Sequence, residues 1–220
     1  MIDTIIVPQG AEYRAVKQGL NKLKRKQPLI VSIPMGTNRI VETLNTQKFW
    51  QLQPKRVLIM GLCGSLSSQY NVGDFVLYQN CSSLNRENVA TEPKLNQLIM
   101  QKLDRVSLVS GLMSDRIITT ITEKQQLTQF AASVVDMESF AYLQLLQQKA
   151  IAVSILRVVS DDLKNNIPNL DPTIDELGNI ESVAMTKAML KQPIVSLKFI
   201  RNSLQSLQKL QQITTDLFAD

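Results

Sequence analysis

The 220 residues of this chain include no histidine. That absence excludes every mechanism with a histidine base and every metal site with histidine ligands, so a Ser-His-Asp hydrolase is excluded as well. An enzyme built from this chain must carry out acid–base chemistry with carboxylates, Lys, Arg, Tyr or Cys.

Cysteine and long apolar runs are also scarce. The chain has two cysteines, Cys63 and Cys81, no CxxC motif and no uncharged apolar run longer than a strand. We therefore predict two reduced, buried thiols in a cytoplasmic protein with no transmembrane segment. The N-terminal sequence M-I-D-T-I-I-V-P has no basic region before its apolar residues, which predicts a first strand and not a signal peptide.

Aromatic residues make up only 5% of the chain, which affects how its net charge of +5 is interpreted. The basic residues concentrate at Lys22, Lys24, Arg25 and Lys26, with no aromatic side chains between them. A nucleic-acid interface typically combines the two kinds of side chain. We interpret the cluster as the solvated end of a helix and expect no nucleic-acid partner.

The composition, 44% hydrophobic and 20% charged, is ordinary for a globular protein. The length suits one domain that spans residues 1–220. Strands that alternate with helices predict an α/β domain with three αβα layers and a mostly parallel or mixed central sheet. The apolar patterns predict strands at 2–7, 29–33, 56–60, 75–78, 106–109 and 151–159, helices at 12–25, 38–49, 92–103, 123–130, 139–148, 180–190 and 194–213, and a long loop at 163–179.

Two acidic pairs lie on either side of one predicted helix and the strand that follows it. Asp136 and Glu138 precede the helix, and Asp161 and Asp162 end the strand. In open α/β sheets ligands bind at the carboxyl ends of the strands. Carboxylates in these two positions can therefore converge on one site.

Arg157 interrupts the apolar run I-A-V-S-I-L-R-V-V, which is expected to be buried. An unpaired buried charge is very costly, so Arg157 must either pair with a core carboxylate or line the site. Glu12, just after the first strand, is either a partner of a helix dipole or a base that activates water. Gly61 and Gly64 indicate either a tight turn that ends the strand or backbone that approaches a ligand closely.

Four motifs together resemble the nucleoside phosphorylase/nucleosidase superfamily, in particular methylthioadenosine/S-adenosylhomocysteine nucleosidases, over nearly the whole chain. They are G-A-E at 10–12, M-G-L-C-G-S-L with V-G-D at 60–74, V-D-M-E-S at 135–139 and R-V-V-S-D at 157–161. The resemblance implies a mixed, partly barrel-like sheet, no metal, no redox cofactor, a small nucleoside substrate and a homodimer or higher homo-oligomer.

The resemblance also implies roles for individual residues. Glu12 matches the carboxylate that activates the attacking water. Met137 and Glu138 match the pair that holds the ribose. Asp161 matches the acid that protonates or hydrogen-bonds purine N7, and Ser160 would orient it.

Further positions complete the implied site. Arg157 matches an arginine near the attacking water, or near phosphate in phosphorylases. Gly64 belongs to the glycine motif expected against the substrate, and Ile117 stands roughly where an aromatic residue often stacks on the base. Asp136 and Asp162 are interpreted as structural.

Leu62 stands where the nucleosidases carry a hydroxyl residue, so together with Ile117 it gives the site an apolar wall. The sequence from I-P-N-L-D-P to L-K-Q-P also resembles the hopanoid-associated branch of the superfamily, whose members remove adenine from an adenosylated hopanoid lipid. An apolar 5′ substituent on the nucleoside would suit such a wall.

The leading hypothesis is hydrolysis of the N-glycosidic bond of an adenine nucleoside with a 5′ substituent, of the methylthioadenosine/S-adenosylhomocysteine or adenosylhopane type. In that reaction Asp161 must be protonated and Glu12 ionised, although an ordinary Asp has a pKa of about 3.9. The alternatives are a phosphate-dependent phosphorylase, with Arg39 and Arg157 serving phosphate, and a non-catalytic nucleoside-binding or storage relative.

Overall fold

The structure is a computed structural model that describes residues 1–24, 27–34, 44, 46–169 and 189–219. In chain order the elements are β1 (Thr4–Pro8), α1 (Ala11–Asn21), β2 (Leu29–Ile33), α2 (Gln47–Gln51), β3 (Arg56–Ser65), β4 (Phe75–Ser83), β5 (Asn88–Ala90), α3 (Pro93–Lys102), β6 (Ser107–Met113), α4 (Ile121–Leu127) with a 3-10 turn (Thr128–Phe130), β7 (Val134–Asp136), α5 (Ser139–Gln147), β8 (Ala152–Asp161) and α6 (Pro193–Phe218).

The described strands form one sheet that closes on itself. Strand β3 pairs with β8, β8 with β4, β4 with β6, β6 with β7, and β7 returns to β3, so that five strands form a barrel. Strands β1 and β2 extend the sheet from β3, and β5 extends it from β4. Closure leaves the barrel strands without a free edge.

Parallel and antiparallel pairs both occur in this sheet. Strand β3 runs parallel to β1 and β8 but antiparallel to β7, and β4 runs parallel to β6 but antiparallel to β8. The predicted α/β class with a mixed, partly barrel-like central sheet is therefore confirmed.

Alternate residues of the central strands supply two separate apolar cores. In β3, Val57 and Ile59 join the core that packs against α5, whereas Leu58 and Met60 join the core that packs against α1, α3 and α6. Helices thus cover both sides of the sheet, as the layer prediction requires. Cys63 and Cys81 are free thiols buried in the first of these cores, as predicted.

Helices α1 and α6 pack against each other at Gly19. A Cβ atom at Gly19 would lie 2.6 Å from the carbonyl oxygen of Gln211 and 2.8 Å from Cβ of Thr214. Thr215 Oγ1 donates to the Gly19 carbonyl at 3.1 Å. The contact fixes α1, whose first turn carries Glu12, against the long C-terminal helix.

Several predicted boundaries were wrong. Strand β3 does not end at Met60 but continues through Gly61 and Gly64, so these glycines are not strand breakers. Strands β5 and β7 were not predicted, because three residues are too few to show a period of two. The predicted helices at 38–49 and 180–190 and the loop at 163–179 lie largely outside the described residues.

Within the described ranges, no helix has the length and apolar character needed to cross a membrane. In α6, Leu210, Ile213 and Leu217 recur at the spacing of one helix face and are buried in the core.

Candidate active site

A cavity of about 190 Å³ opens where β1, β3, β7 and β8 end. Its wall combines acidic side chains with many apolar ones, which is typical of a small-molecule site. The residues that line it are Pro8, Glu12, Leu62, Cys63, Gly64, Arg116, Ile117, Ile118, Val135, Asp136, Met137, Glu138, Ser160, Asp161, Ile167 and Phe199.

Glu12 enters the cavity from the first turn of α1, directly after β1. Its Oε1 accepts the backbone N–H of Leu62 at 2.7 Å. Burial raises the pKa of Glu12 to about 7, while Arg157 and the Leu62 N–H act in the opposite direction. A carboxyl group with this pKa exchanges protons near neutral pH, as a general base must.

Gly61 provides the space in which Glu12 and Arg157 meet. A Cβ atom at Gly61 would collide with Nη1 of Arg157 and would lie 2.7 Å from Oε1 of Glu12. Since β3 continues through this position in an ordinary extended conformation, the glycine is needed for its missing side chain.

Arg157 lies behind the cavity wall and is completely buried. Its Nε is 3.4 Å from Oδ2 of Asp136, and its Nη2 is 3.6 Å from Oε2 of Glu138. Nη2 also donates to Ser139 Oγ at 3.0 Å. Of the two interpretations of this residue, pairing with carboxylates is the one observed, and both partners face the cavity.

Asp136 organises the start of α5 as well as binding Arg157. Its Oδ1 accepts the backbone N–H groups of Glu138 at 3.0 Å and Ser139 at 2.8 Å. Its Oδ2 accepts the hydroxyl of Tyr78 at 2.8 Å. With its hydrogen-bonding capacity used in this way, Asp136 fits the structural role predicted for it.

Met137 and Glu138 follow Asp136 directly and both line the cavity. Glu138 is only 5% exposed and has Arg157 as a counter-charge. A buried, paired carboxylate in this position can accept hydrogen bonds from hydroxyl groups of a ligand. The neighbouring thioether of Met137 supplies an adaptable apolar surface.

Asp161 reaches the cavity from the end of β8. Its carboxyl oxygens lie over Gly64, where an added Cβ atom would be 2.9 Å from Oδ1 and 3.2 Å from Oδ2. Ser160 Oγ donates to Oδ2 at 3.1 Å. Burial raises the pKa of Asp161 above its ordinary value, although the ion pair with Lys124 and the Ser160 hydroxyl oppose this shift.

Two residues near the site were missed by the sequence analysis. Lys124 of α4 is completely buried and forms an ion pair with Asp161. Phe199 of α6 lines the cavity and supplies an aromatic side chain where Ile117 does not. Neither position is marked by a motif, because both approach the site only through the packing of distant helices.

Of the predicted site residues, all but one line this cavity: Glu12, Gly64, Ile117, Met137, Glu138, Ser160 and Asp161. Arg157 is the exception and supports the wall from behind. Asp162 lies in the turn after β8, where its Oδ1 accepts the N–H of Lys164 at 3.0 Å. Arg39 lies outside the described residues.

In the described part of the chain, no three His, Cys, Asp or Glu side chains form a group that could hold a metal ion. The carboxylates at the cavity are bound to Arg157, Lys124 and backbone N–H groups.

The chain is similar to a known protein family in sequence and to solved structures in fold. A sequence model of the phosphorylase superfamily matches residues 7–190. Comparison with curated protein sequences finds no match.

Solved structures with the same fold cover almost the whole chain. Futalosine hydrolase of Helicobacter pylori strain 26695 superimposes with a TM-score of 0.69 at 15% identity, over 99% of this chain and 97% of that one. The 5′-methylthioadenosine/S-adenosyl homocysteine nucleosidase of H. pylori gives 0.64 at 15% identity, over 98% and 97%. A putative methylthioadenosine nucleosidase from Weissella paramesenteroides gives 0.61 at 16% identity, over 96% and 98%.

Proposed function

The chain belongs to the phosphorylase superfamily, and from the geometry of its cavity we propose that it hydrolyses the N-glycosidic bond of an adenine nucleoside. The observation that carries the proposal is the placement of Glu12 and Asp161 in one cavity, each with a raised pKa. A base and an acid in one site are what hydrolysis of a glycosidic bond requires.

The proposed reaction begins with the nucleoside held between Glu138 and Asp161. As the C1′–N9 bond breaks, its electron pair passes to the purine and Asp161 gives its proton to N7. The sugar becomes oxocarbenium-like, and water attacks C1′ while Glu12 accepts the proton that the water loses. Glu138 accepts hydrogen bonds from the sugar hydroxyls, and Met137 contacts the sugar ring.

The distribution of charge favours water over phosphate as the nucleophile. Glu12, Asp136, Glu138 and Asp161 all line the cavity, and Arg157 behind them is paired with two of these groups. The cation in the lining, Arg116, forms an ion pair with Glu123 at 2.6 Å. Among the described lining residues, a dianionic phosphate would meet four carboxyl groups and one cation, Arg116, that is already paired, whereas water carries no charge for them to repel.

The apolar part of the wall supports a substrate with an apolar 5′ substituent. Leu62, Ile117, Ile118, Ile167 and Phe199 all line the cavity. Such side chains gain little from a charged or strongly hydrated group, but they can bury a methylthio group or a longer hydrocarbon. Within the methylthioadenosine/S-adenosylhomocysteine and adenosylhopane types of substrate, we therefore propose that methylthioadenosine or adenosylhopane is preferred over S-adenosylhomocysteine, whose 5′ substituent carries a charged amino acid.

The test is release of free purine base by the purified protein. Methylthioadenosine, S-adenosylhomocysteine, adenosine, futalosine and adenosylhopane are each incubated with the wild type and with Asp161→Asn, and the base is quantified by chromatography. We expect release from at least one adenine nucleoside and roughly 100-fold slower release by the variant. If the wild type binds these nucleosides and releases base from none, a binding or storage function replaces the proposal.

A further inference from the structure

Lys124 lies on α4 directly beside the proposed acid. Its side chain is 0% exposed, and its ammonium group donates to Oδ1 of Asp161 and, at 2.7 Å, to the backbone carbonyl of Asp162. Lysine is seldom fully buried, because removing an ammonium group from water is costly unless a partner offsets the cost. The carboxyl group that offsets it here is Asp161.

We propose that Lys124 is a positioning residue for Asp161, holding one carboxyl oxygen in place and stabilising the negative charge that appears when Asp161 gives its proton to the purine. The inference rests on the proposed hydrolysis and adds to it the group that sets the strength of the acid. Lys124 itself does not line the cavity, so it acts on Asp161 and not on the substrate.

The two oxygens of Asp161 have different neighbours. Oδ1 is bound by Lys124, whereas Oδ2 lies 3.1 Å from Ser160 Oγ, which is also 3.2 Å from the Cys63 carbonyl oxygen. A proton on Oδ1 would lie against the ammonium hydrogens. The ion pair therefore favours Oδ2 as the oxygen that carries the proton to N7, and it leaves the resulting carboxylate facing a cation.

The groups that face Asp161 come from three elements. Lys124 on α4 lowers the pKa of Asp161, Asp162 next to it raises this pKa, and the buried Cys63 thiol faces it from β3. Burial raises the pKa of Asp161 more than any neighbour does, and Lys124 is the strongest opposing influence. Without the lysine charge, the Ser160 hydroxyl is the remaining group that opposes the raising effects on the pKa of Asp161, and Asp161 becomes a weaker acid.

The experiment compares Lys124→Met, Lys124→Arg and the wild type in base release across a range of pH. In Lys124→Met we expect kcat/KM to fall roughly 10- to 100-fold, because a weaker acid protonates the leaving purine less well. The alkaline limb of the pH profile should move to higher pH, since Asp161 then holds its proton longer. Lys124→Arg keeps the charge and should restore most of the activity.

A matched control and a second background separate this role from a structural one. Lys102→Met removes an exposed lysine whose ammonium donates to the Ala219 carbonyl at 3.0 Å, and it should leave the profile unchanged. In an Asp161→Asn background, Lys124→Met should cause no further loss. Should Lys124→Met fail to fold by circular dichroism, Lys124→Gln keeps a neutral donor and carries the same expectation.

Three outcomes overturn the inference. An active wild type together with a Lys124→Met variant of unchanged kcat/KM and unchanged alkaline limb refutes the role of Lys124 alone. A further loss on top of Asp161→Asn refutes it in the same way. A wild type that releases base from no nucleoside refutes the proposed hydrolysis, and the role of Lys124 falls with it.

Discussion

At the residue scale, Glu12 and Asp161 are two carboxyl groups that burial affects in the same direction but that have different neighbours. Glu12 has a backbone N–H and the nearby guanidinium of Arg157, whereas Asp161 has an ammonium and a hydroxyl group in direct contact. The pKa of each carboxyl group is therefore controlled by a different set of neighbours. That separation supports the roles proposed for them, Glu12 as the base and Asp161 as the acid in the same cavity.

Glu12→Gln should lower base release roughly 100-fold or more, because the amide cannot accept a proton from water. The wild-type pH profile provides a second check. Glu12 has a pKa of about 7 and must be ionised to act. The ionised fraction is high above this pH and falls below it, so kcat/KM should drop about tenfold per pH unit on the acid side.

The matched control for Glu12→Gln is Glu87→Gln, which alters an exposed glutamate away from the cavity. Glu87→Gln should leave both the rate of base release and the acid limb of the pH profile unchanged. An active Glu12→Gln enzyme, or an acid limb far below pH 7 in the wild type, would contradict the role proposed for Glu12.

At the scale of the elements, the connection from β7 to α5 depends on one buried network. Tyr78 on β4, Ser139 on α5 and Arg157 on β8 all bind Asp136, so a single carboxylate ties four elements together. The network was partly predictable from the sequence, since Arg157 was expected either to pair with a core carboxylate or to line the site. The identity of its partners depends on the barrel register, which no local pattern encodes.

Tyr78→Phe should lower the free energy of unfolding by about 1 to 2 kcal/mol, because it removes a donor from a buried carboxylate. Tyr142→Phe is the matched control. Tyr142 is equally buried, yet within the described structure its hydroxyl has no hydrogen-bond partner. Urea denaturation should show a loss for Tyr78→Phe and little or no loss for Tyr142→Phe. Equal losses would contradict the assigned network.

Gly61→Ala tests whether β3 needs a glycine for space. The added methyl group would collide with Arg157 and press against Glu12. We expect a loss of about 1 to 3 kcal/mol in the free energy of unfolding, together with a strong fall in activity. Thermal denaturation and base release measure the two effects. A variant with wild-type stability and activity would show that the guanidinium and carboxylate can move aside freely.

At the scale of the whole molecule, the α/β class and the positions of most strands followed from alternating apolar runs and intervening helical patterns. The glycines of β3 were predicted either to end the strand in a tight turn or to bring the backbone close to a ligand. Sequence alone could not show that they make space for the side chains of Glu12, Arg157 and Asp161. Phe199 of α6 reaches the cavity, and Lys124 of α4 reaches Asp161, by tertiary packing, so no spacing rule could have placed them there. The single domain and the homo-oligomer stay predictions.

The most direct measurement of the proposed hydrolysis follows methylthioadenosine through turnover with and without inorganic phosphate and identifies both products. The proposal predicts adenine and a free reducing sugar at the same rate in both conditions, because water attacks C1′ and Glu12 accepts its proton. Adenine released only with phosphate, together with a sugar 1-phosphate, would contradict hydrolysis and assign the chain to the phosphorylases.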